Sequence, residues 1–401
     1  MSVTIETEPQ NFSFTSNPCV FTFSTTNSAQ DAFSFYIELT VNGSVHSYHQ
    51  VFTESSNYGK FDCSEVLRTI VSSDLVPSGA YQVPYTNAIC TYSIRVREKY
   101  GDPPALTGSW YASNTVKAIN GALRHTDWID YDYTDYDVTT QVDKTFLMLT
   151  DFPRSETYWC GLTESMFVGA ICSDTTADIV VKLYDVNDSA INADTTAITI
   201  PTNDFFVFDV SPTSIIANTT IISGDFDSCY YYEVHISATG GGAYTGNSEL
   251  FRIYIDNECS QYTSRRLHWL NKFGVWDSYS FILYSEESTR IQSSDYIREK
   301  GAWDSSNDWV YNKSQGQNRS YTKTSTDVMK LNSDWIKQDK QQWLVQSLIE
   351  SPIVYLEDSY NVFEPVVVNE KSFKKKQRIR EGLIREELTI SRTYTYTSQL
   401  G

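Results

Sequence analysis

The side chains that could carry out chemistry are few in this sequence, and they lie far apart. Five histidines occur, at positions 46, 49, 125, 235 and 268. His46 and His49 are three residues apart in a stretch that reads as a strand, so their side chains point to opposite faces and cannot share a ligand. The Gly-x-Ser-x-Gly, phosphate-loop and His-Glu-x-x-His motifs are absent. We therefore predict that the chain is not an enzyme and uses no cofactor.

The cysteines do not form a recognisable metal site either. There are seven, at positions 19, 63, 90, 160, 172, 229 and 259, and no Cys-x-x-Cys pair occurs among them. Zinc sites use pairs of ligands at short spacings, so this spacing argues against zinc. We predict that the cysteines are free, buried thiols that pack as small apolar side chains.

An acidic, tyrosine-rich stretch at 127–137 carries the carboxylates of Asp130, Asp132, Asp135 and Asp137. Closely spaced carboxylates are calcium ligands, yet the glycine and the final glutamate of an EF-hand loop are missing. On an extended chain the first two carboxylates would face one way and the last two the other. Two interpretations stay open: a calcium site, and an acidic surface strand at an interface.

The net charge of −19 is unevenly distributed along the chain. Residues 1–260 contain 11 Lys and Arg against 32 Asp and Glu, whereas residues 261–401 contain 20 against 18. The acidic front part should repel nucleic acid, so we expect no specific nucleic-acid binding. The basic run at 371–380 leaves two alternatives: the C-terminal part could line a DNA channel, or the run belongs to a solvated or interface-pairing strand.

The sequence also bears on membranes and export. No apolar run reaches the length of a membrane span. The first residues lack the basic and apolar regions of a signal peptide. We expect no membrane span and no ordinary secretion.

The secondary structure indicated by the sequence is mainly strand. Aromatic residues make up 14% of the chain, and aromatic and β-branched residues favour strands. Asn42-Gly43, between two alternating runs, predicts a hairpin. We predict a mostly β chain with two tandem sandwiches of immunoglobulin or fibronectin type III kind, at 1–120 and 121–260. Residues 101–120 read as an ordered loop or linker, and Ser64 as the cap of a short helical turn.

The tandem arrangement is indicated by similarity between the two halves. Residues 179–185 resemble the predicted strand at 34–41. Phe61 aligns with Phe208, and Arg95 aligns with Arg252 at a similar offset. Matches in the same order at similar offsets predict two copies of one sandwich.

Residues 265–281 form the predicted joint between the sandwiches and the C-terminal part. They read as a hairpin with a tight loop at 271–274, in which Gly274 is free to adopt a positive φ. The joint is expected to fix the sandwiches at a set angle to the C-terminal domain. Its candidate structural and interface residues are Trp269, Asn271, Phe273, Gly274, Trp276 and Asp277.

Residues 261–401 read as a β-rich assembly domain with one main helix. The helix is predicted over 332–352, with Ser333 as its cap, Trp343 on its apolar stripe and Pro352 as its end. A long strand is predicted at 383–398. Tyr394 and Tyr396 share one of its faces and, with Trp343 and Pro352, are further candidate structural or interface residues.

Four segments carry a resemblance to a known group of proteins. They are Asn17-Pro-Cys-Val-Phe-Thr-Phe-Ser, Lys60-Phe-Asp-Cys-Ser-Glu-Val-Leu, Trp269-Leu-Asn-Lys-Phe-Gly-Val-Trp-Asp and Ser351-Pro-Ile-Val-Tyr-Leu. With them the chain resembles structural proteins of tailed bacteriophages that infect Bacteroidetes, including the crAss-like phages. The resemblance implies a virion component of the tail, neck ring or baseplate hub, assembled as a homo-oligomeric ring with other virion proteins as partners. It brings no catalytic, metal or cofactor residues.

Three functions are thus expected in descending order. The first is a structural virion protein that acts through protein–protein contacts. The alternative is a carbohydrate-binding adhesin of stacked sandwiches, with Trp110, Trp128 and Trp159 as its sugar platform. The third is a glycan-cleaving enzyme, which needs two carboxylates that face one cleft.

Overall fold

The computed structural model describes most of the chain, in the ranges 3–54, 57–73, 81–139, 144–173, 176–200, 204–238, 248–256, 263–311, 313, 316–372, 374 and 383–398. The chain forms two compact units. The first contains Met1–Glu258, His268–Ser278 and Ser359–Asn361, and the second contains Cys259–Leu267, Tyr279–Asp358 and Val362–Gly401. Within the described ranges, no helix is long and apolar enough to cross a membrane.

The front of the first unit is a sandwich of two sheets. Its strands are β1 (Thr4–Thr7), β2 (Ser13–Phe14), β3 (Val20–Ser24), β4 (Ser34–Val41), β5 (Ser44–Val51), β6 (Tyr58–Asp62), β8 (Ile89–Tyr100), β9 (Ala105–Ala112) and β10 (Val116–Ile119), and its helix is α1 (Ser64–Arg68). Between β6 and β8 the chain also forms β7 (Gln82–Pro84), which joins a sheet of the second sandwich. One sheet has the order β1-β3-β6. The other has the order β2-β10-β8-β4-β5, and β9 pairs with β8.

The alternation of apolar residues determines which strand faces are buried. Phe35, Ile37 and Leu39 alternate along β4, and all three are fully buried. The predicted hairpin at Asn42-Gly43 is confirmed: φ is 48° and 75° at the two residues, as a type I′ turn requires.

Two local predictions for this sandwich are wrong. Residues 101–120 are not a loop, because they form β9 and β10, which pair with β8. Ser64 does not cap α1, because Cys63 occupies the cap position and the Ser64 N–H donates to Asp62 Oδ1 over 3.0 Å. For 101–120 the edge of β8 decides the local structure, whereas at Ser64 the partner is the neighbouring Asp62.

The rest of the first unit contains a second sandwich. Its strands are β11 (Tyr158–Gly161), β12 (Phe167–Ile171), β13 (Thr176–Tyr184), β14 (Ala190–Thr199), β15 (Phe205–Asp209), β16 (Tyr231–Ser237) and β17 (Phe251–Asp256). Its sheets have the orders β11-β17-β16-β13-β14 and β12-β15-β7. The helices of this part are α2 (His125–Ile129), a 3₁₀ turn (Tyr133–Asp135), α3 (Pro212–Asn218) and α4 (Ser223–Phe226).

The two sandwiches repeat one topology of immunoglobulin type. In the larger sheet of each sandwich, a short first strand pairs in parallel with the last strand, as β2 does with β10 and β11 with β17. At the opposite end of the same strand order, each sheet finishes in an antiparallel hairpin, β4–β5 in the first sandwich and β13–β14 in the second. Phe61 and Phe208 lie on the matching strands β6 and β15, as predicted. The alignment of Arg95 with Arg252 is wrong, because the counterpart of β8 is β16 and Arg252 lies on β17.

Each sandwich has its own apolar core. In the second, the Tyr232 hydroxyl donates to the carbonyl of Val210 over 2.8 Å, which ties the start of β16 to the preceding connection. The six described cysteines are buried thiols that form no disulfide with one another, as predicted. Burial raises the pKa of Cys90 and of Cys229 to about 12, so both thiols are inert and pack as apolar groups.

The second unit is built on a seven-stranded sheet. The strands of this part of the chain are β18 (Arg265–Leu270), β19 (Trp276–Phe281), β20 (Glu286–Ile297), β21 (Ala302–Trp303), β22 (Trp309–Val310), β23 (Asn318–Asn332), β24 (Ile336–Lys337), β25 (Val354–Ser359), β26 (Val362–Val368), β27 (Leu383–Ile384) and β28 (Glu387–Thr397). The order is β19-β18-β25-β26-β28-β23-β20, and β18 and β19 contribute residues 265–267 and 279–281 to this unit. The pairs β21–β22 and β24–β27 stand apart from the sheet.

The main helix of the second unit is shorter than predicted. It begins with α5 (Gln338–Gln341), continues as one π-helical segment (Gln342–Ser347) and ends with α6 (Leu348–Glu350). Ser333 is not its cap, because the Ser333 hydroxyl accepts from the N–H of Glu386 over 2.9 Å and its own N–H donates to the carbonyl of Glu386. The predicted strand at 383–398 is likewise divided at this point into β27 and β28.

Candidate functional site

The hairpin tip at His268–Ser278 belongs to the first unit, and Asn271 holds its turn together. The Asn271 side-chain oxygen accepts from the N–H groups of Phe273 (2.9 Å) and Val275 (3.2 Å). Its amide nitrogen donates to the carbonyl of Leu149 and to Asp277 Oδ1, both over 3.1 Å. Asn271 is only 4% exposed. One amide group thus closes the turn and ties it to a separate segment of the chain.

Gly274 completes the turn at a place where no other residue fits. Its φ is +79°, in the left-handed region that favours glycine. An added Cβ would lie 2.1 Å from the carbonyl oxygen of Asn120. Gly169 allows a similar approach, because a Cβ there would lie 2.4 Å from both methyl carbons of Val275. The hairpin tip therefore packs directly on backbone of both sandwiches.

Lys272 adds two ion pairs at the same tip. Its Nζ lies 2.8 Å from Asp127 Oδ2 and 2.7 Å from Asp151 Oδ1. Burial would lower the pKa of Lys272, but Asp151 and Asp127 outweigh that effect and raise it. For Asp127, partial burial acts to raise the pKa, and the hydrogen bond and charge of Lys272 outweigh it, so the pKa is lowered. Both shifts favour the charged pair.

Aromatic rings surround the tip. Phe273 lies edge-on to Phe14 at 6.0 Å between centroids, and its ring is 5.4 Å from that of Tyr136. His268 is fully buried, and its Nδ1 lies 2.7 Å from the Ser278 hydroxyl. A histidine that is enclosed in this way and already bonded acts in packing rather than in proton transfer.

The ten predicted site residues divide between the two units. Six lie at the hairpin tip, where Trp269 and Trp276 are fully buried and Asp277 Oδ1 also accepts from the Thr150 hydroxyl over 2.9 Å. The other four lie in the second unit. Trp343 is 4% exposed and its ring lies 6.3 Å from that of Tyr279. Pro352 follows the end of α6, while Tyr394 and Tyr396 are 74% and 67% exposed. The structure thus places the tryptophans of the hairpin tip inside the protein and leaves Tyr394 and Tyr396 accessible to a partner.

Sequence reasoning missed the residues that receive the hairpin tip. Gly121 is one, because an added Cβ would lie 2.8 Å from the carbonyl oxygen of Lys272. Asp151 and Leu149 are others, and nothing in their sequence neighbourhood marks them. Because 101–120 was read as a loop, the glycine that follows it was not recognised as a point of close backbone approach, which glycines in or beside strands often permit.

The acidic stretch at 127–137 is not the surface strand that one interpretation expected. Parts of it form α2 and the 3₁₀ turn, and the carboxylates of Asp132, Asp135 and Asp137 have separate partners. Asp132 Oδ1 accepts from the Thr134 N–H over 2.9 Å, Asp135 pairs with Lys144 at 2.9 Å, and Asp137 bonds to Ser173. Across the described ranges no three His, Cys, Asp or Glu side chains group as a metal site. The acidic stretch therefore shows no assembled set of calcium ligands.

An aromatic row crosses the outer face of the second sandwich. Trp159, Tyr254, Tyr231 and Tyr184 lie on four neighbouring strands, with 5.2, 5.5 and 4.8 Å between successive ring centroids. Arg252 covers Tyr231 at 4.5 Å. Most ring faces in the row are therefore occupied, but Trp159 is 45% exposed. The row stabilises the sheet and ends in one accessible ring.

The second unit carries an exposed ribbon, made of strands β20, β23 and β28. Strand β20 pairs with β23 along its whole length, from Glu286 opposite Lys330 to Ile297 opposite Asn318. Ile291, Ser325 and Tyr396 are cross-strand neighbours and share one face. On the same face, Ile390 of β28 is buried, whereas Tyr396 is exposed. Exposed apolar side chains thus lie on the open part of this face, beyond the buried Ile390 and separated from it by polar residues such as Asp327 and Thr289.

Comparison with known proteins does not identify the chain. No family model matches it, and no curated protein sequence matches it. Among solved structures, one similar chain comes from the crystal structure of Dpr2 Ig1-Ig2 in complex with DIP-Theta Ig1-Ig3. It is 8% identical, the match covers 98% of this chain and 90% of that chain, and the TM-score is 0.19. A likeness of this size carries no argument, so the immunoglobulin-type topology rests on the strand order itself.

Proposed function

We propose that this chain is a structural subunit of a tailed-phage virion, in the tail, neck ring or baseplate hub, and that it acts through protein–protein contacts. The observation that supports assembly is the open part of the exposed ribbon, where Ile291, Tyr394 and Tyr396 are 63%, 74% and 67% exposed. Several large apolar side chains exposed on one part of a surface are typical of surfaces that a partner covers. The virion location rests on the sequence resemblance.

The uneven charge supports contacts between different parts of neighbouring subunits. Residues 1–260 are strongly acidic, whereas residues 261–401 carry a small positive excess. Ring contacts are heterologous, so each copy must present two different and complementary surfaces. Opposite charges on the two parts of the chain meet that requirement. We therefore propose a homo-oligomeric ring that also binds other virion proteins.

The test is the mass of the full chain in solution. Sedimentation velocity from low to high micromolar concentration should show a multimer whose population rises with concentration. High salt should weaken it, because screening reduces the charge attraction. A chain that remains monomeric at every concentration, and that binds none of the other structural proteins of the same phage, contradicts the proposal.

A catalytic function finds less support. Glu287 and Asp327 line one open cleft of about 370 Å³ on the exposed ribbon, together with Arg392. Both carboxylates already hold partners: Arg265 donates to Glu287 and the Thr289 hydroxyl donates to Asp327, each over 2.8 Å. A hydrolase would need one of them free to handle a proton. We infer that the chain is not an enzyme.

Carbohydrate binding remains the second candidate, and one observation favours it. Trp159 and Tyr230, 45% and 44% exposed, both lie beside Tyr254, at 5.2 and 5.4 Å. The other two tryptophans of the predicted platform have different neighbours, since Trp110 lies under Arg95 and Trp128 lies beside His125. Glycan-array binding that is lost in Trp159→Ala and kept in Trp128→Ala would support this function.

A further inference from the structure

Within the part of the chain that the structure describes, strand β20 is a sheet edge of unusual length. It is the last strand in the order of the seven-stranded sheet, and its neighbour there is β23. It has 12 residues, and all of them are exposed. Strands in globular proteins usually have about 5–6 residues. One side of β20 therefore presents a long row of backbone N–H and C=O groups to whatever lies next to it.

Natural proteins usually protect such an edge. Strand β20 carries charged residues of both signs, but it lacks most of the other common devices. Proline, short length, clustered lysine and bulges are the usual protection. The sequence of β20 contains no proline, glycine or lysine. Its one register shift lies between Ser294 and Asp295, where the partner register passes from Thr322 to Ser320, so the extra residue, Tyr321, belongs to β23. The outer edge of β20 is thus regular and ready to accept another strand.

We propose that β20 pairs antiparallel with β20 of a second copy of this chain, about a two-fold axis at Gln292. Such a contact is isologous, so the same edge serves both copies. It joins the two exposed ribbons into one continuous sheet. The inference rests on the proposed self-assembly and adds a two-fold contact to it.

The charges on β20 favour this register. With the axis at Gln292, Glu286 lies opposite Arg298 of the second copy, and this happens twice by symmetry. Arg298 can take part because its N–H donates to the carbonyl of Gln317 over 2.7 Å, which extends the ladder beyond the end of β20. Within the pair, Arg290 lies opposite Ser294 and Thr289 lies opposite Asp295. The register contains opposite-charge pairs and no like-charge pair.

The two registers with the axis one residue to either side of Gln292 are less favourable, because they place like charges opposite each other. The two-fold axis can shift along β20 only from one residue to the next. Any other position would place side chains from opposite faces of the two strands beside each other. At Ile291 it would put Glu287 opposite Asp295 in both halves. At Ser293 it would put Glu287 opposite Glu299. Like charges directly opposite each other are unfavourable, so the charge pattern selects Gln292 from these three.

We choose a second copy of the chain as the partner of β20 because the charges of β20 are complementary to those of β20 itself in the antiparallel arrangement. Two-fold pairing also brings the Ile291 side chains of both copies onto one face of the joined sheet. That face already carries Tyr396, two strands away from Ile291. An unrelated strand would have to match the same charges and the same apolar face by its own sequence.

Disulfide trapping tests the register with a matched control. Gln292→Cys puts one cysteine from each copy on the axis, where directly opposed Cα atoms are about 5 Å apart, within disulfide reach. Ser294→Cys has the same exposure and points to the same face. Its two copies would lie about 13 Å apart along the strands, which is beyond disulfide reach. The described native cysteines are buried and should not interfere.

The expected result is a covalent dimer of the full-length Gln292→Cys variant under mild oxidation, and monomer under the same conditions for Ser294→Cys. As a second measurement, Arg298→Glu should raise the dimer dissociation constant at least tenfold, because it faces Glu286. Lys300→Glu, just beyond the paired residues, should change it less than threefold. Both substitutions lie on the surface, so folding is retained.

Several results would overturn the pairing, and they differ from a failure of the proposed function. Equal crosslinking of the two cysteine variants, or a disulfide between the Gln292→Cys variant and a Thr395→Cys variant mixed with it, rejects the two-fold register. If the wild type multimerises by sedimentation while Gln292→Cys stays uncrosslinked, the edge pairing fails and assembly stands. If the wild type is monomeric and binds no virion protein, both fail.

Discussion

The hairpin tip and the exposed ribbon are both antiparallel strand pairs rich in aromatic residues, yet they meet opposite environments. At the tip, Trp269 and Trp276 are fully buried, and Asn271 and Gly274 fit the turn to backbone from elsewhere in the first unit. In the ribbon, all residues of β20 are exposed. The tip is held by specific side chains, whereas the ribbon is held mainly by its backbone ladder.

This difference shows what each region can do. A region with specific buried partners tolerates little change, because each buried polar group must keep its partner. A region held by backbone pairing tolerates side-chain changes without unfolding, so its side chains are available for partners. The candidate site thus has two parts: the tip, which supports the fold, and the ribbon, which is open for assembly.

The largest effect is expected from Gly274→Ala. The added methyl group would meet the carbonyl of Asn120 at 2.1 Å, and backbone cannot easily move away. We expect a loss of at least about 4 kcal/mol in the free energy of unfolding. Urea unfolding followed by tryptophan fluorescence measures it.

Gly43→Ala is the matched control for this prediction. Gly43 has a similar φ of +75°, but an added Cβ there would meet nothing within 4 Å. It should lose only about 1 kcal/mol, from backbone strain alone. Equal losses at the two glycines would mean that the close packing of the tip does not matter.

A smaller loss is expected from Asn271→Ala. The change removes four hydrogen bonds and leaves the N–H groups of Phe273 and Val275 and the carbonyl of Leu149 without this partner. We expect about 3 kcal/mol, since each buried group left unsatisfied costs about 1–3 kcal/mol. Asn114→Ala, which removes one exposed hydrogen bond from the side-chain amide to Glu8 Oε2, should lose less than about 1 kcal/mol. A loss at Asn271 no larger than at Asn114 would contradict the role of the amide.

Lys272→Met should lose about 1 kcal/mol near neutral pH, because its ion pairs are partly exposed. The lowered pKa of Asp127 gives a pH dependence. A lowered folded-state pKa stabilises the protein above the unfolded value of about 3.9, and this contribution is lost as the pH falls through the folded value. The difference between wild type and variant should therefore shrink below about pH 4. Unfolding curves at pH 6 and pH 3 measure it, and a constant difference would contradict this account.

The smallest effect on stability is expected in the ribbon. Replacing Tyr394 and Tyr396 by serine should change the free energy of unfolding by less than about 0.5 kcal/mol, because both rings are mostly exposed. The same variant should lose self-association in sedimentation. Tyr48→Ser, at a 55% exposed tyrosine of the first sandwich, serves as the control and should associate normally. If both variants associate normally, the tyrosines are not part of the assembly surface.

Local signals in the sequence predicted much of the fold. Asn42-Gly43 identified its hairpin because the turn type depends on the two residues themselves. Gly274 was identified for the same reason. The mostly β class and the tandem sandwiches followed from strand alternation and internal similarity. The turns and the strand alternation depend on neighbours within a few residues, and the internal similarity is visible by comparing the sequence with itself, so one sequence is enough to predict them.

Features that depend on distant partners were misread. Ser333-Asp334 has the pattern of a helix start, but Glu386 bonds to Ser333 and the helix begins later, at Gln338. The small residues and prolines of 101–120 indicated a loop, but β8 offers an edge on which they pair. The basic run at 371–380 lies almost entirely outside the described residues, so its two interpretations stay as they were.

By itself, the sequence determined the turns, the alternation of strand faces, the inert cysteines and the division of charge, since all of these depend on residue types and short spacings. Only the tertiary structure decided that residues 268–278 are enclosed while β20 is open. Strand pairing and burial join segments more than a hundred residues apart, as Asn271 and Leu149 show. No local pattern records which of two similar hairpins will find such partners.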